Sequence, residues 1–521
     1  MSLIRSALVA FASLLTVSAP LHAEELKIGM RIEAVIDPHY FWSGNYVQYY
    51  RHYLGFLTVL DPQARVTPSL AERWEATDTG WVFHLRRNVK FSDGSEFDAG
   101  DVAASYKRAR EYPNAAGSYA GLFAGVTAIE ATDKHTLTIT TAAPYPTLPF
   151  ALSQVPIIPS EVAATATQAD FTTAKGSVSI GPFRFVSFTS GKELVLERNP
   201  DFWGDKPKWD GVRFRFLPDP SARTAALLAG DVDLIDGVPP EFVERIRNDA
   251  NFAVHIGPSM RNVYVNMDQG RDNSPFITDN NGAPLGKNPL RDVRVREALS
   301  LAISRETMRD RVMSGLSFPT GQLVAKGIGG YSKDIAVSPY DPAKAKALLA
   351  AAGYPDGFKI TLHCPNDRYV NDAKICQALG QMFSRIGVRT NVVTLPSSAF
   401  FKQVNPSAGE GASIFLSSWS AGGSGETDVL TQALQTFDAQ KKTGPWNLGR
   451  YSNPELDALI RKYIVTRDNA ERWALEAKAM ELAMKDFAAL PLHDQSVVVA
   501  TRKQLSYTTN LEEATNALAV R

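Results

Sequence analysis

No familiar catalytic centre can be assembled from the side chains of this sequence. G-x-S-x-G, which lifts a nucleophilic serine onto a tight turn, is absent, as is H-E-x-x-H, which sets two histidines on one helix face for zinc. The nearest approach to a phosphate-cradling loop, GAPLGKN at 282–288, lacks the first glycine at the required spacing and ends in Asn where Ser or Thr is needed. The eight histidines are dispersed, and 55 acidic residues supply Asp/Glu pairs by chance. Cys364 and Cys376, with one adjacent His363, make a poor zinc set, and they suit either a disulfide or two buried thiols. What remains is chemistry of recognition. Arg368, in Asn366-Asp367-Arg368-Tyr369, falls in a loop after a strand, where a guanidinium can hold a carboxylate bidentately or complete a structural ion pair. An aromatic loop, His39-Tyr40-Phe41-Trp42, directly follows the first strand. The sequence therefore argues against an enzyme, and no metal or cofactor is expected.

Several elements must position these groups. A chain of 521 residues that is 44% hydrophobic suits two or three domains. Its 55 basic residues balance its 55 acidic ones, so no electrostatic argument favours nucleic acid or an anionic membrane. Arg5 is the only Lys, Arg, Asp or Glu in the first 23 residues; an apolar run from Ala7 to Val17 follows, and Ala23 offers a cleavage point before Glu24-Glu25. That run is too short to span a bilayer and reads as a signal peptide, so the product is expected to be soluble and exported, where a disulfide can form. LKIGMRI begins the mature chain as a strand, and Tyr46, Tyr49, Tyr50 and Tyr53 stripe the next helix as core. Trp81, Phe83 and Leu85 alternate with Val82, His84 and Arg86 as a half-buried strand. Asp93-Gly94 is a turn, and Asp98 caps a helix with Asp101 in its first turn. Hairpins are expected over 126–141 and around Ser190-Gly191. The second half is richer in helix. Asp292, Asp341-Pro342 and Asn453-Pro454 start three helices, and Trp473, Ala477, Met480, Met484 and Phe487 stripe a fourth.

The stretch 68–102 carries P-x-L-A-E-x-W, then W-x-F-x-L-R-x-x-V-x-F-x-D-G, then F-x-A-x-D-V. Later blocks, RNPDFWGDKP, VRVREALSLAISR, YDPAKAKALLAAAGYPDGF and ICQALGQMFSRIGV, follow in order. Together these resemble the family 5 extracytoplasmic solute-binding proteins of ABC importers, which include oligopeptide-, dipeptide-, glutathione-, nickel- and opine-binding receptors. The resemblance implies a mixed α/β fold with two lobes, of the class II, cluster C periplasmic-binding type, with an extra inserted domain. It divides the mature chain into a discontinuous first domain (24–60, 180–271 and 489–521), an inserted domain (61–179) and a second lobe (272–488). The implied partners are a short peptide or other small solute and a membrane permease with its ATPase, the receptor itself being a periplasmic monomer.

In the family's terms the ligand lies between the lobes. The implied contacts are Tyr40, Phe41, Trp42 and Asn45 after the first strand, Tyr119, Asn266, the pair Arg368 and Tyr369, and the stretch around Trp419, Ser420 and Glu426. Trp419 would pack on ligand, Arg368 would hold an anionic group and Glu426 a cationic one. One departure matters. Peptide-binding relatives place an aspartate a few residues after that tryptophan, to pair with the ligand's α-ammonium, but here Ser420, Ala421, Gly422 and Gly423 follow. Either Glu426 substitutes from a longer loop, or the ligand has no free amino terminus, as an opine, sugar or metal chelate would not. A periplasmic sensor or chaperone without a transporter is the reading from a different class.

Overall fold

The computed structural model describes residues 24–407, 411–421, 425 and 427–521; the expected leader and the expected contact Glu426 lie outside these. A twelve-stranded sheet runs through both lobes. In the first lobe Glu25–Met30 lies parallel to Gly211–Phe216, which continues antiparallel into the hairpin Phe183–Thr189 and Glu193–Arg198. Gly191, at φ +71°, makes the turn expected there, a conformation glycine adopts without a Cβ clash. In the second lobe Phe358–Pro365 pairs in parallel with Val388–Leu395 and with Ile414–Ser420.

Two long strands, Phe252–Met267 and Leu490–Arg502, pair antiparallel and carry the sheet from one lobe to the other. Their ladder is interrupted midway. Pro258 faces Ser496 and Asn262 faces Asp494, so the first strand spends four residues where the second spends two. Such a bulge bends and twists the ladder, which makes it the natural pivot between lobes.

The inserted unit has its own four-stranded antiparallel sheet, ordered Ala71–Thr77, Gly80–Leu85, Thr136–Thr141, Val126–Asp133. Phe83 and Leu85 point into a core shared with the helix Ala99–Glu111, whose Asp98 and Asp101 form a capping box. In the second lobe Asp292, Asp341 and Asn453 cap helices as their sequence context requires. Of the stripe expected on the last helix, Asn469–Lys485, Met480 and Met484 are buried but its start departs. Trp473 is exposed, while Arg472 and Glu476 are buried as an ion pair beside Ala479, Met480 and Ala483. An i,i+4 pair that neutralises itself can occupy a core face that apolar periodicity assigns elsewhere.

Cys364 and Cys376 are joined in a disulfide that ties the strand Phe358–Pro365 to the helix Asp372–Arg385. The loop it closes carries Arg368 and Tyr369. The Asp372 carboxylate accepts from both their backbone amides, at 2.9 and 3.0 Å, and fixes the same loop from inside.

Candidate ligand site between the lobes

The residue types expected to recognise a ligand converge on one cavity of about 530 Å³ between the lobes. Phe41, Trp42 and Asn45 line it from the first lobe, Asn266 from the crossing strand Phe252–Met267, and Arg368, Tyr369, Trp419 and Ser420 from the second lobe. The two remaining described candidates stand elsewhere. Tyr119 is buried in the inserted unit's core and donates its hydroxyl to the Pro38 carbonyl at 2.8 Å. Tyr40 faces a separate surface recess and packs edge-on to Tyr112. Both position the loop and neither reaches the cleft.

The loop after the first strand is rigid because of what lies behind it. Asp37 is buried and holds Arg108 in a two-pronged pair at 2.9 and 2.8 Å, with Tyr112 donating to the same carboxylate. Burial alone would raise this carboxyl; Arg108 outweighs it and holds Asp37 below its ordinary value. His39 hydrogen-bonds the Pro156 carbonyl, and burial, reinforced by the Arg108 charge, pulls it down to about 4. Phe41 lies flat against Gly117, where any Cβ would stand 2.1 Å from the ring. The result is a loop whose next residues, Phe41 and Trp42, are presented to the cleft.

Across the cleft, Trp419 sits on the strand Ile414–Ser420, paired with Asn262 of the crossing strand. Its indole N–H donates to Asp428 at 2.7 Å. Asp428 also lines the cavity, so the described acid beside Trp419 comes from nine residues further on. Asn266 uses its carbonyl oxygen to accept from the Met267 amide and lies under Gly449.

The floor is made by residues without a local sequence signal. The C-terminal tail brings Glu512 and Glu513 into the cleft, the latter at φ +62°. Glu512 takes Arg51 bidentately at 2.6 and 2.9 Å, and Gln154 adds a bond at 3.3 Å. Glu513 accepts from Ser259 at 2.8 Å and Gln495 at 3.0 Å and pairs with Arg261 at 3.2 Å. Burial pushes the Glu513 carboxyl up, but the Arg261 and Arg31 charges outweigh it and leave it lowered. Two of the three arginines in the cavity are thus neutralised by the tail. Arg368 is the third. Its side chain is exposed to the cleft and, among the described residues, has neither a hydrogen bond nor an ion pair.

The lobes also touch away from the pivot, where Arg467 donates to the Asp78 carbonyl at 2.7 Å. A rigid, partly aromatic cavity between two lobes on a bent double-strand pivot defines a solute-binding receptor of the two-lobed, clamshell kind. The model of the bacterial extracellular solute-binding proteins, family 5, matches residues 65–441, and the chain belongs to that family. It is 27% identical over 457 residues to the glutathione-binding protein GsiB of Salmonella paratyphi A, covering 86% of this chain and 84% of that protein. Among solved structures it superposes on DppA from Helicobacter pylori in complex with the peptide STSA, with TM-score 0.75, 22% identity and coverage of 96% and 98%. AgaA from A. tumefacien R10, in complex with agropinic acid, matches with TM-score 0.73, 22% identity and coverage of 95% and 98%. One fold thus carries the peptide STSA in one protein and agropinic acid in another, and the fold alone does not choose the solute. No helix among the described residues is long and apolar enough to cross a membrane.

Proposed function

We propose that this chain is a periplasmic receptor, monomeric and freed of residues 1–23, that captures a peptide or peptide-like solute between its lobes and delivers it to a membrane permease with its ATPase. The observation that carries the ligand reading is the unpaired Arg368 guanidinium in a cavity whose other arginines are already neutralised. Its planar fork matches a carboxylate, and Asp428 beside Trp419 supplies the countercharge for an ammonium. Three hydrophobic cores, centred on the first-lobe sheet, the inserted unit and the second lobe, support a three-part division close to 24–60/180–271/489–521, 61–179 and 272–488, with the second-lobe core also drawing in Val263, Val265, Met267, Leu490 and Leu492 from the two crossing strands. Ligand that touches both lobes favours the closed form in proportion to its preference for it, and the closed form is what a permease would recognise.

A second reading is an opine-like solute with a secondary amine and two acid groups, favoured because neither Ser420 nor Ala421 supplies the carboxylate that peptide-binding relatives place there. Mass spectrometry of solute released from protein purified from its native periplasm separates the two. A peptide upholds the first reading, an opine the second, and a neutral sugar contradicts both.

A further inference from the structure

We infer that the cleft contains an aromatic subsite centred on Trp446, which selects solutes that carry an aromatic ring beside a carboxylate; this rests on the receptor reading above. Trp446 leaves 51% of its surface uncovered and Phe401 37%, and both line the interlobe cavity. Large apolar surface left open inside a cavity is what a ligand covers. Neither residue is loose. The Trp446 amide donates to the Gln432 carbonyl at 2.9 Å, and its carbonyl accepts from the Leu448 amide at 2.8 Å. On the helix Ser397–Val404, Phe400 is buried in a small core with Val404 and Phe415, which turns its neighbour Phe401 outward. Among the described residues no aromatic ring packs on Trp446.

The first lobe answers with rings of its own. Phe41 tilts against Tyr46 with centroids 5.1 Å apart, and both line the cavity beside Trp42. Trp42 also packs against the inserted unit's core, which fixes its ring at the cavity wall. A ring held here meets aromatic faces from both lobes and gains offset or edge contacts beyond its buried area, while an alkyl group gains area alone. Arg368 in the same cavity receives the acid group. The favoured solute therefore contains both.

The test is calorimetric titration with two pairs of probes that differ only by the ring. One pair is Gly-Phe-Gly and Gly-Ala-Gly; the other is the N-(1-carboxyethyl) derivatives of phenylalanine and alanine. The wild-type protein should bind the ring-bearing member of a pair about tenfold more tightly. Trp446→Ala should bring that ratio close to one by weakening the ring-bearing probe far more than the alanine one, and Trp446→Phe should keep most of it. Equal affinities, or a preference that survives Trp446→Ala, overturn the subsite and leave the receptor reading standing. No binding by either pair overturns both.

Discussion

Replacing Arg368 with alanine should separate ligand binding from stability cleanly, because this side chain has no partner to orphan among the described residues. In the liganded protein it would make two charge-assisted hydrogen bonds to a carboxylate inside a cavity that excludes bulk water. Such bonds contribute about 1.5–3 kcal/mol each, and the desolvation of an exposed guanidinium offsets part of that. A net loss of about 2–3 kcal/mol corresponds to affinity lower by roughly 30- to 150-fold. Arg368→Lys keeps the charge but not the fork, and should recover only part of the loss. Stability of the free protein should change by less than about 0.5 kcal/mol, a melting shift of about 1 °C. Arg261→Ala is the internal contrast. Its partner Glu513 is nearly buried, so removing the cation strips the carboxylate of its nearest countercharge and should cost about 3 kcal/mol of stability in the absence of any ligand. Calorimetric titration with a carboxylate solute, paired with scanning calorimetry of the free protein, reads both quantities. Unchanged affinity in Arg368→Ala would refute its placement against ligand, and a large fall in its melting temperature would refute the claim that it is unpaired.

Three further outcomes follow from the same structure. Converting both Cys364 and Cys376 to alanine should lower stability by about 3 kcal/mol, from the loop entropy restored to the unfolded chain, and should weaken binding because the released loop carries Arg368; chemical denaturation with and without ligand measures both. At the pivot, burial pushes the Asp494 carboxyl up to about 7, with Asn262 donating to it and opposing the shift, while burial pulls His39, His52 and His493 down to about 4. The histidines bind protons more readily unfolded, so stability should rise from about pH 4 to 6.5; Asp494 binds its proton more readily folded, so its contribution should fall as pH rises towards 7. Asp494→Asn should therefore steepen the rise and flatten the profile between pH 6.5 and 7.5, and a profile parallel to wild type would contradict the assignment. Arg467→Ala removes only an exposed contact to Asp78, so closure should survive with apparent affinity changed by no more than a few-fold, as scattering of the liganded protein and titration can check.

Much of this was legible locally. Asp98, Asp292, Asp341 and Asn453 announce their helices because a cap is decided within four residues. Trp419, Asn266 and Arg368 are proposed on family wording, and one cavity brings them together. Tyr119 was misplaced because a buried tyrosine that bonds a carbonyl and one that faces ligand look alike in one dimension. Glu512 and Glu513 were missed for a different reason. Their partners Arg51 and Arg261 lie hundreds of residues upstream, and no period or spacing links a tail to a cleft floor. Asp428 is marked out only by the bond it accepts from the Trp419 indole, a contact that no spacing announces. The buried Arg472–Glu476 pair is illegible for a similar reason, since polarity alone assigns both residues to solvent.

The central claim is that one interlobe cavity takes the solute with its acid group on Arg368. A crystal structure of the protein with its released and identified solute tests this most directly. The account predicts the solute enclosed between the lobes, its carboxylate within hydrogen-bonding distance of the Arg368 guanidinium and its body against Trp419. Solute bound outside this cavity, or inside it with Arg368 left unengaged, would contradict it.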